Sequence, residues 1–65
     1  MTKTVQNSLS KIHYLLSEAN IEWGKLPIEE RVKINDLHEP SNSLGYCLSW
    51  GTIAANEARD YAENE

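Results

Sequence analysis

The stretch that decides the fold is residues 44–62, which read LGYCLSWGTIAANEARDYA. One helical stripe within it is small or apolar throughout and consists of Leu44, Cys47, Leu48, Gly51, Ala55, Ala58 and Ala62. A neighbouring stripe carries larger side chains and consists of Tyr46, Trp50 and Ile53. Because spacings of three and four residues return to one side of an α-helix, this pattern predicts a long helix over about residues 42–62.

A second amphipathic helix is predicted near the N-terminus. Its apolar residues follow a 4-3-4-3 spacing and are Val5, Leu9, Ile12, Leu16 and Ala19. Thr4 can accept a hydrogen bond from a free amide of the first turn, and Asn20 suits a left-handed residue at the end. These signals predict a helix over about residues 4–20.

The two long helices are expected to form the main contact of the fold. Cys47, Gly51 and Ala55 are small, so another helix can approach this stripe closely, and the larger stripe of the first helix would fill it. The cap of the later helix is expected to be Ser41 or Ser43. Since Cys47 lies within the apolar stripe, we expect its thiol to be buried and inert.

The segment between these helices gives a mixed signal. Pro27 suits a first helical position, which predicts a helix over about residues 27–37. The apolar residues, however, divide between two nearly opposite helix sides, Ile28 with Val32 and Ile34 with Leu37. Residues 31–34 also alternate as an exposed strand would, and residues 21–23 could pair with them. The prediction is therefore an all-α protein with three helices, with two helices and a short β-hairpin as the alternative.

Length and charge limit the classes of protein. The chain has 65 residues, enough for one small core, so residues 1–65 are expected to form a single helical domain. Six basic residues stand against ten acidic ones, a formal charge of −4, without a basic cluster. Nucleic-acid binding by a monomer is therefore not expected. A homodimer could still gather Lys3, Lys11 and Lys25 from both chains on one surface.

No arrangement of residues points to catalysis, a metal or a cofactor. His13, His38 and Cys47 are the candidates for imidazole or thiolate chemistry, and their spacing matches no nucleophile–base motif. Structural zinc needs four nitrogen or sulfur ligands at compatible spacing, and the three glycines form no phosphate-binding loop. We expect neither an enzyme nor a resident cofactor.

Membrane insertion and export are not expected either. Residues 41–56 carry no charge, but the segment is short for a spanning helix and contains several polar side chains. Residues 1–16 lack the continuous apolar run of a signal peptide. A lone cysteine suits a reducing compartment, so a cytoplasmic location is expected.

The aromatic stripe is the main candidate for a functional surface. Tyr46, Trp50 and Ile53 either complete a small core or form an interface, where tryptophan and tyrosine are frequent anchors. Glu57 and Asp60 follow on the same helix and belong either to a solubilising tail or to an acidic surface for a basic partner.

The function predicted from the sequence is a small acidic protein-binding module that acts as an inhibitor or regulatory subunit of a larger protein. The alternative is a helical homodimer that binds nucleic acid. Small acidic helical proteins are frequent in mobile genetic elements, where they block larger host enzymes, so size and charge suggest that setting by analogy.

Overall fold

The fold is all-α with three helices, as the sequence predicts. A computed structural model describes residues 2–64. The helices are α1 (Lys3–Gly24), α2 (Ile28–Asn35) and α3 (Leu44–Asn64), and a short 3-10 turn, Pro40–Asn42, precedes α3. Within residues 2–64 there is no strand, and the alternative β-hairpin is wrong, since residues 21–23 belong to α1 and residues 31–34 to α2.

Both ends of α1 differ from the predicted ones. The helix starts one residue earlier, and the hydroxyl of Thr2, not that of Thr4, accepts the hydrogen bond from the amide of Val5 at 3.3 Å. The helix continues past Asn20 to Gly24, and no described residue has a positive φ, so the left-handed ending at Asn20 is wrong. Trp23 belongs to this extra turn, which lies beside the start of α3, and its ring lies against Gly45.

Helix α2 is shorter than predicted and has no buried residue. Pro27 takes the N-cap position, and the helix ends at Asn35. The carboxamide oxygen of Asn35 accepts a hydrogen bond from the amide of Gly45 at 2.9 Å, in the first turn of α3. Ser43, one of the two predicted caps, instead donates its hydroxyl to the carbonyl of Pro40 at 2.9 Å. A side chain from α2 therefore caps α3.

Helices α1 and α3 run antiparallel and form a hairpin, which confirms the predicted main contact. The side chain of Gln6 donates to the carbonyl of Ala62 at 2.9 Å near one end, and Trp23 lies beside Gly45 near the other. Between these points a Cβ placed on Gly51 would stand 3.7 Å from a methyl group of Leu16. The larger side chains of α1 therefore pack against the small residues of α3.

The core is thin. Ala62 is fully buried and Ala55 is 8% exposed, and no large side chain among residues 2–64 is fully buried. The molecule measures 43 × 21 × 13 Å, so it is an elongated layer of two helices with α2 at one end. No helix within residues 2–64 is long and apolar enough to cross a membrane.

Cys47 is exposed, so the prediction that it is buried is wrong. Its sulfur lies 3.9 Å from the carbonyl oxygen of Ser41, a residue of the turn before α3. The physical reason is the position of Cys47 at the border of its stripe. Leu48, the next residue, points nearer to α1 and is half-buried, while Cys47 points to a side that α1 does not cover.

Candidate functional site

The predicted partner-binding residues lie together on the outer side of α3, away from α1. Tyr46, Trp50 and Ile53 are each about half exposed, with Trp50 at 54%, and we call these three residues the aromatic edge. The rings of Tyr46 and Trp50 are in contact, with centroids 6.0 Å apart and planes tilted by 51°. The edge is therefore an apolar surface in the isolated chain and not part of its core.

The two predicted acidic residues extend this surface toward the end of α3. Glu57 follows Ile53 by four residues and Asp60 follows it by seven, so both continue the outer side of the helix. Both are exposed. One oxygen of Asp60 lies 3.7 Å from the guanidinium of Arg59, a weak surface pair that leaves the acidic character of this end largely intact.

One broad side of the hairpin is polar and is bridged by hydrogen bonds between the helices. Arg59 on α3 donates to the ring nitrogen Nδ1 of His13 on α1 at 3.3 Å and to the carboxamide oxygen of Asn56 at 2.6 Å. Gln6 lies on the same side, seven residues before His13. This polar side was not predicted, although the heptad spacing of Gln6 and His13 indicates it.

The other broad side of the hairpin is open and carries a patch of apolar side chains, with Ser8 and Glu22 one heptad to either side of Leu15 on α1. Residues two apart on a helix point about 160° away from each other. Leu15 therefore lies opposite His13, and Ala54 and Ala58 lie opposite Asn56. We call this side the hairpin face and define it by Ile12, Leu15, Ala54, Ala58 and Tyr61.

The large members of the hairpin face are exposed, with Leu15 at 53% and Ile12 and Tyr61 similar. This surface was not predicted, because Leu15 stands outside the 4-3-4-3 stripe of α1. The signal was the 3-4 spacing of Ile12, Leu15 and Ala19, which marks a second stripe beside the first. The two helices together thus present more apolar surface than their mutual contact covers.

A groove of about 320 Å³ lies between α2 and the start of α3. Its lining is mostly apolar and consists of Ile34, Leu37, His38, Asn42, Leu44 and Cys47. His38 and Cys47 thus line one groove, a proximity that their spacing in the sequence does not reveal. Within residues 2–64, no group of three or more His, Cys, Asp or Glu side chains is placed to hold a metal ion.

The chain matches no protein-family model, and neither the curated proteins nor the solved structures give a match.

Proposed function

We propose that this protein is a small protein-binding module and that the aromatic edge is the surface it offers to a larger protein. The observation that carries the proposal is the contact pair of Tyr46 and Trp50, extended by Ile53 and about half exposed throughout. Large aromatic side chains dominate the binding energy of interfaces when they enter desolvated pockets. An edge of this composition is suited to that role.

The spacing of the edge favours one mode of binding. Tyr46, Trp50, Ile53 and Glu57 follow one another by four, three and four residues, which is the pattern of a helix that lies in a groove. The first three would enter an apolar groove of the partner. Glu57 and Asp60 would meet basic side chains at its end, and the net charge of −4 would favour encounter with a basic surface.

An inhibitory or regulatory role follows from this mode of binding. A chain of 65 residues that inserts one helix into a groove of a larger protein acts by occupying that groove. If the groove also receives a substrate or another subunit, occupation lowers the activity of the larger protein.

The alternative of a nucleic-acid-binding homodimer has less support. Lys3 and Lys25 lie at opposite ends of α1, about 33 Å apart along the helix. Lys25 also pairs with Glu22, its nitrogen 2.9 Å from the carboxylate. The lysines of one chain therefore do not converge on a phosphate-binding surface.

The test begins with a photo-crosslinking amino acid at position 53, which marks a partner that contacts the edge. The same amino acid at Thr52, on the polar side of α3, is the matched control. The partner identified by mass spectrometry is then purified, and its Kd for the chain is measured by calorimetry.

Tyr46→Ala and Ile53→Ala are expected to weaken this binding by about 30-fold or more, the effect of an interface anchor. Tyr14→Ala and Ile28→Ala are the matched controls, since these side chains are exposed elsewhere and should leave the Kd unchanged. Circular dichroism checks that every variant keeps its helices. Edge variants that bind as tightly as the controls would overturn the proposal.

A further inference from the structure

The chain exposes more surface than a compact protein of its mass. Its accessible area is 4876 Å² for 7.4 kDa, whereas folded monomers of this mass expose about 4200 Å². Its radius of gyration is 14.1 Å, against about 11 Å for a compact chain of this length. The exposed large apolar side chains include those of the hairpin face and those of the aromatic edge.

The size of the excess is close to what one partner contributes to a stable interface. The difference is roughly 700 Å², and a standard protein–protein interface buries about 800 Å² on each partner. A second layer of helices packed on one broad side of the hairpin would bury an area of this size on the chain. The polar side already has its hydrogen bonds between helices, so the hairpin face is the side that gains from cover.

We propose that a second copy of this chain covers the hairpin face and that the two copies form an antiparallel four-helix bundle. This inference goes beyond the proposed function, because it concerns a different surface from the aromatic edge. The two-fold axis runs parallel to the helices, so α1 of each copy lies over α3 of the other. Each helix then has antiparallel neighbours, as in common four-helix bundles.

Side-chain size favours this pairing. The side chains of the hairpin face are large on α1, where they are Ile12 and Leu15. They are small on α3, where they are Ala54 and Ala58. The contacts within one chain, of Gln6 with Ala62 at one end and Trp23 with Gly45 at the other, place residues 12–15 level with residues 53–56.

A rotation about an axis parallel to the helices does not move residues along the helix direction. Residues at the same height in one copy therefore stand at that height in the second copy as well. Ile12 and Leu15 of one copy therefore meet Ala54 and Ala58 of the second, where ridges enter grooves. A two-fold axis perpendicular to the helices would instead place α1 over α1 and α3 over α3. Large side chains would then meet large ones, and small side chains would meet small ones.

Charge also favours this pairing. Lys11 and Glu57 are both exposed, and both lie at the outer border of the hairpin face. Position 11 is level with position 57 by the same contacts, so Lys11 of each copy faces Glu57 of the other. Two symmetric ion pairs at the rim of an interface set its register and orientation.

The first test is the molecular mass of the full chain by sedimentation equilibrium over a range of concentrations. Twice the chain mass of 7.4 kDa is expected. Leu15→Glu places a charge in the middle of the hairpin face and should give the monomer mass. Leu37→Glu is the matched control, because Leu37 is exposed in the connection after α2 and lies outside the face. A wild-type chain that is monomeric throughout the range would overturn the proposal.

The second test stays decisive even if Leu15→Glu unfolds the chain. Lys11→Glu and Glu57→Lys each replace the ion pairs with like charges, and each should weaken the dimer by about tenfold at low salt. The double variant exchanges the charges and should restore the dimer to nearly the wild-type Kd. A double variant that is weaker than either single one would overturn the arrangement.

Failure of this inference is distinguishable from failure of the proposed function. Tyr46→Ala and Ile53→Ala lie on the aromatic edge and should leave the dimer mass unchanged. Trp50 and Glu57 border both surfaces, so neither is used to separate them. A dimer that survives the edge variants and loses mass on Leu15→Glu supports the bundle, whatever the edge binds. A dimer lost on Tyr46→Ala or Ile53→Ala would place the contact on the edge and overturn the bundle.

Discussion

The α1–α3 hairpin and helix α2 are both helical, but they are held in different ways. In the hairpin, two helices of 22 and 21 residues pack along their lengths, with Leu16 against Gly51. Helix α2 has eight residues, Ile28 on it is 66% exposed, and a side chain at its end attaches it to α3. The first region is supported by packing along its length, and the second by a short contact with α3 and by the hydrogen bond that Asn35 accepts from the amide of Gly45.

An apolar pattern determines the position of a helix when its apolar residues share one side. The residues of α1 and α3 repeat on one stripe, and such a stripe can pack over its whole length. Those of α2 fall on opposite sides, so no single orientation buries them. Because isolated helices shorter than about 12–15 residues are marginal in water, α2 depends on its junction with α3.

The largest effect is expected from Leu16→Ala, which tests the packing of the hairpin. Removing this half-buried side chain from its place against Gly51 should lower the free energy of unfolding by about 2 kcal/mol. The matched change in α2, Ile28→Ala, should stay within about 0.5 kcal/mol, since Ile28 is exposed. Urea unfolding at one fixed protein concentration measures both, and equal losses would break the comparison.

The second effect concerns how closely the two long helices approach. Gly51→Leu should cost about 1–3 kcal/mol, because a side chain longer than a Cβ must push Leu16 aside. Gly51→Ala is the control: its Cβ fits at an ordinary contact distance of 3.7 Å, and helix propensity should then stabilise the protein by up to about 1 kcal/mol. Thermal unfolding separates the two, and stabilisation by leucine would disprove close packing at Gly51.

The third effect tests the attachment of α2. Asn35→Ala removes the acceptor of the Gly45 amide and should cost about 0.5–1.5 kcal/mol, with faster hydrogen exchange at that amide. Asn35→Asp keeps an oxygen acceptor and adds negative charge near the positive end of α3, so its stability should be retained. If the alanine variant leaves both stability and exchange unchanged, the cap contributes nothing.

The smallest effect is the change that folding makes to the labelling rate of the Cys47 thiol. Because the side chain is exposed in the single chain, its labelling rate in the monomeric Leu15→Glu variant should be comparable with that of the unfolded chain. A cysteine at buried position 55, in a Cys47→Ser background, should label much more slowly and serves as the reference. Strong protection of Cys47 in that monomeric variant would show that α2 closes over the groove beside it.

Much of the fold was predictable, because its signals are local. The stripes of α1 and α3 predict two long helices, and the small residues at Gly51 and Ala55 predict their contact. The proximity of Tyr46, Trp50 and Ile53 was also predictable, because their spacing places them on one side of one helix. Which of the two readings applied to that stripe, core or surface, depended on the position of α1 and was not decided by spacing.

The amino-acid pattern alone specifies the two long helices to within a few residues and the pairing of α1 with α3. These properties follow from side chains three and four residues apart, which a helix brings together without help from the rest of the chain. The fold in three dimensions was needed to show that α2 is a helix, that α1 extends past Trp23 and that Asn35 caps α3. It was also needed to show that Cys47 is exposed and that one side of the hairpin is polar and the other open. Each depends on contacts between residues distant in the chain, and no local period specifies which side of a helix its neighbour will cover.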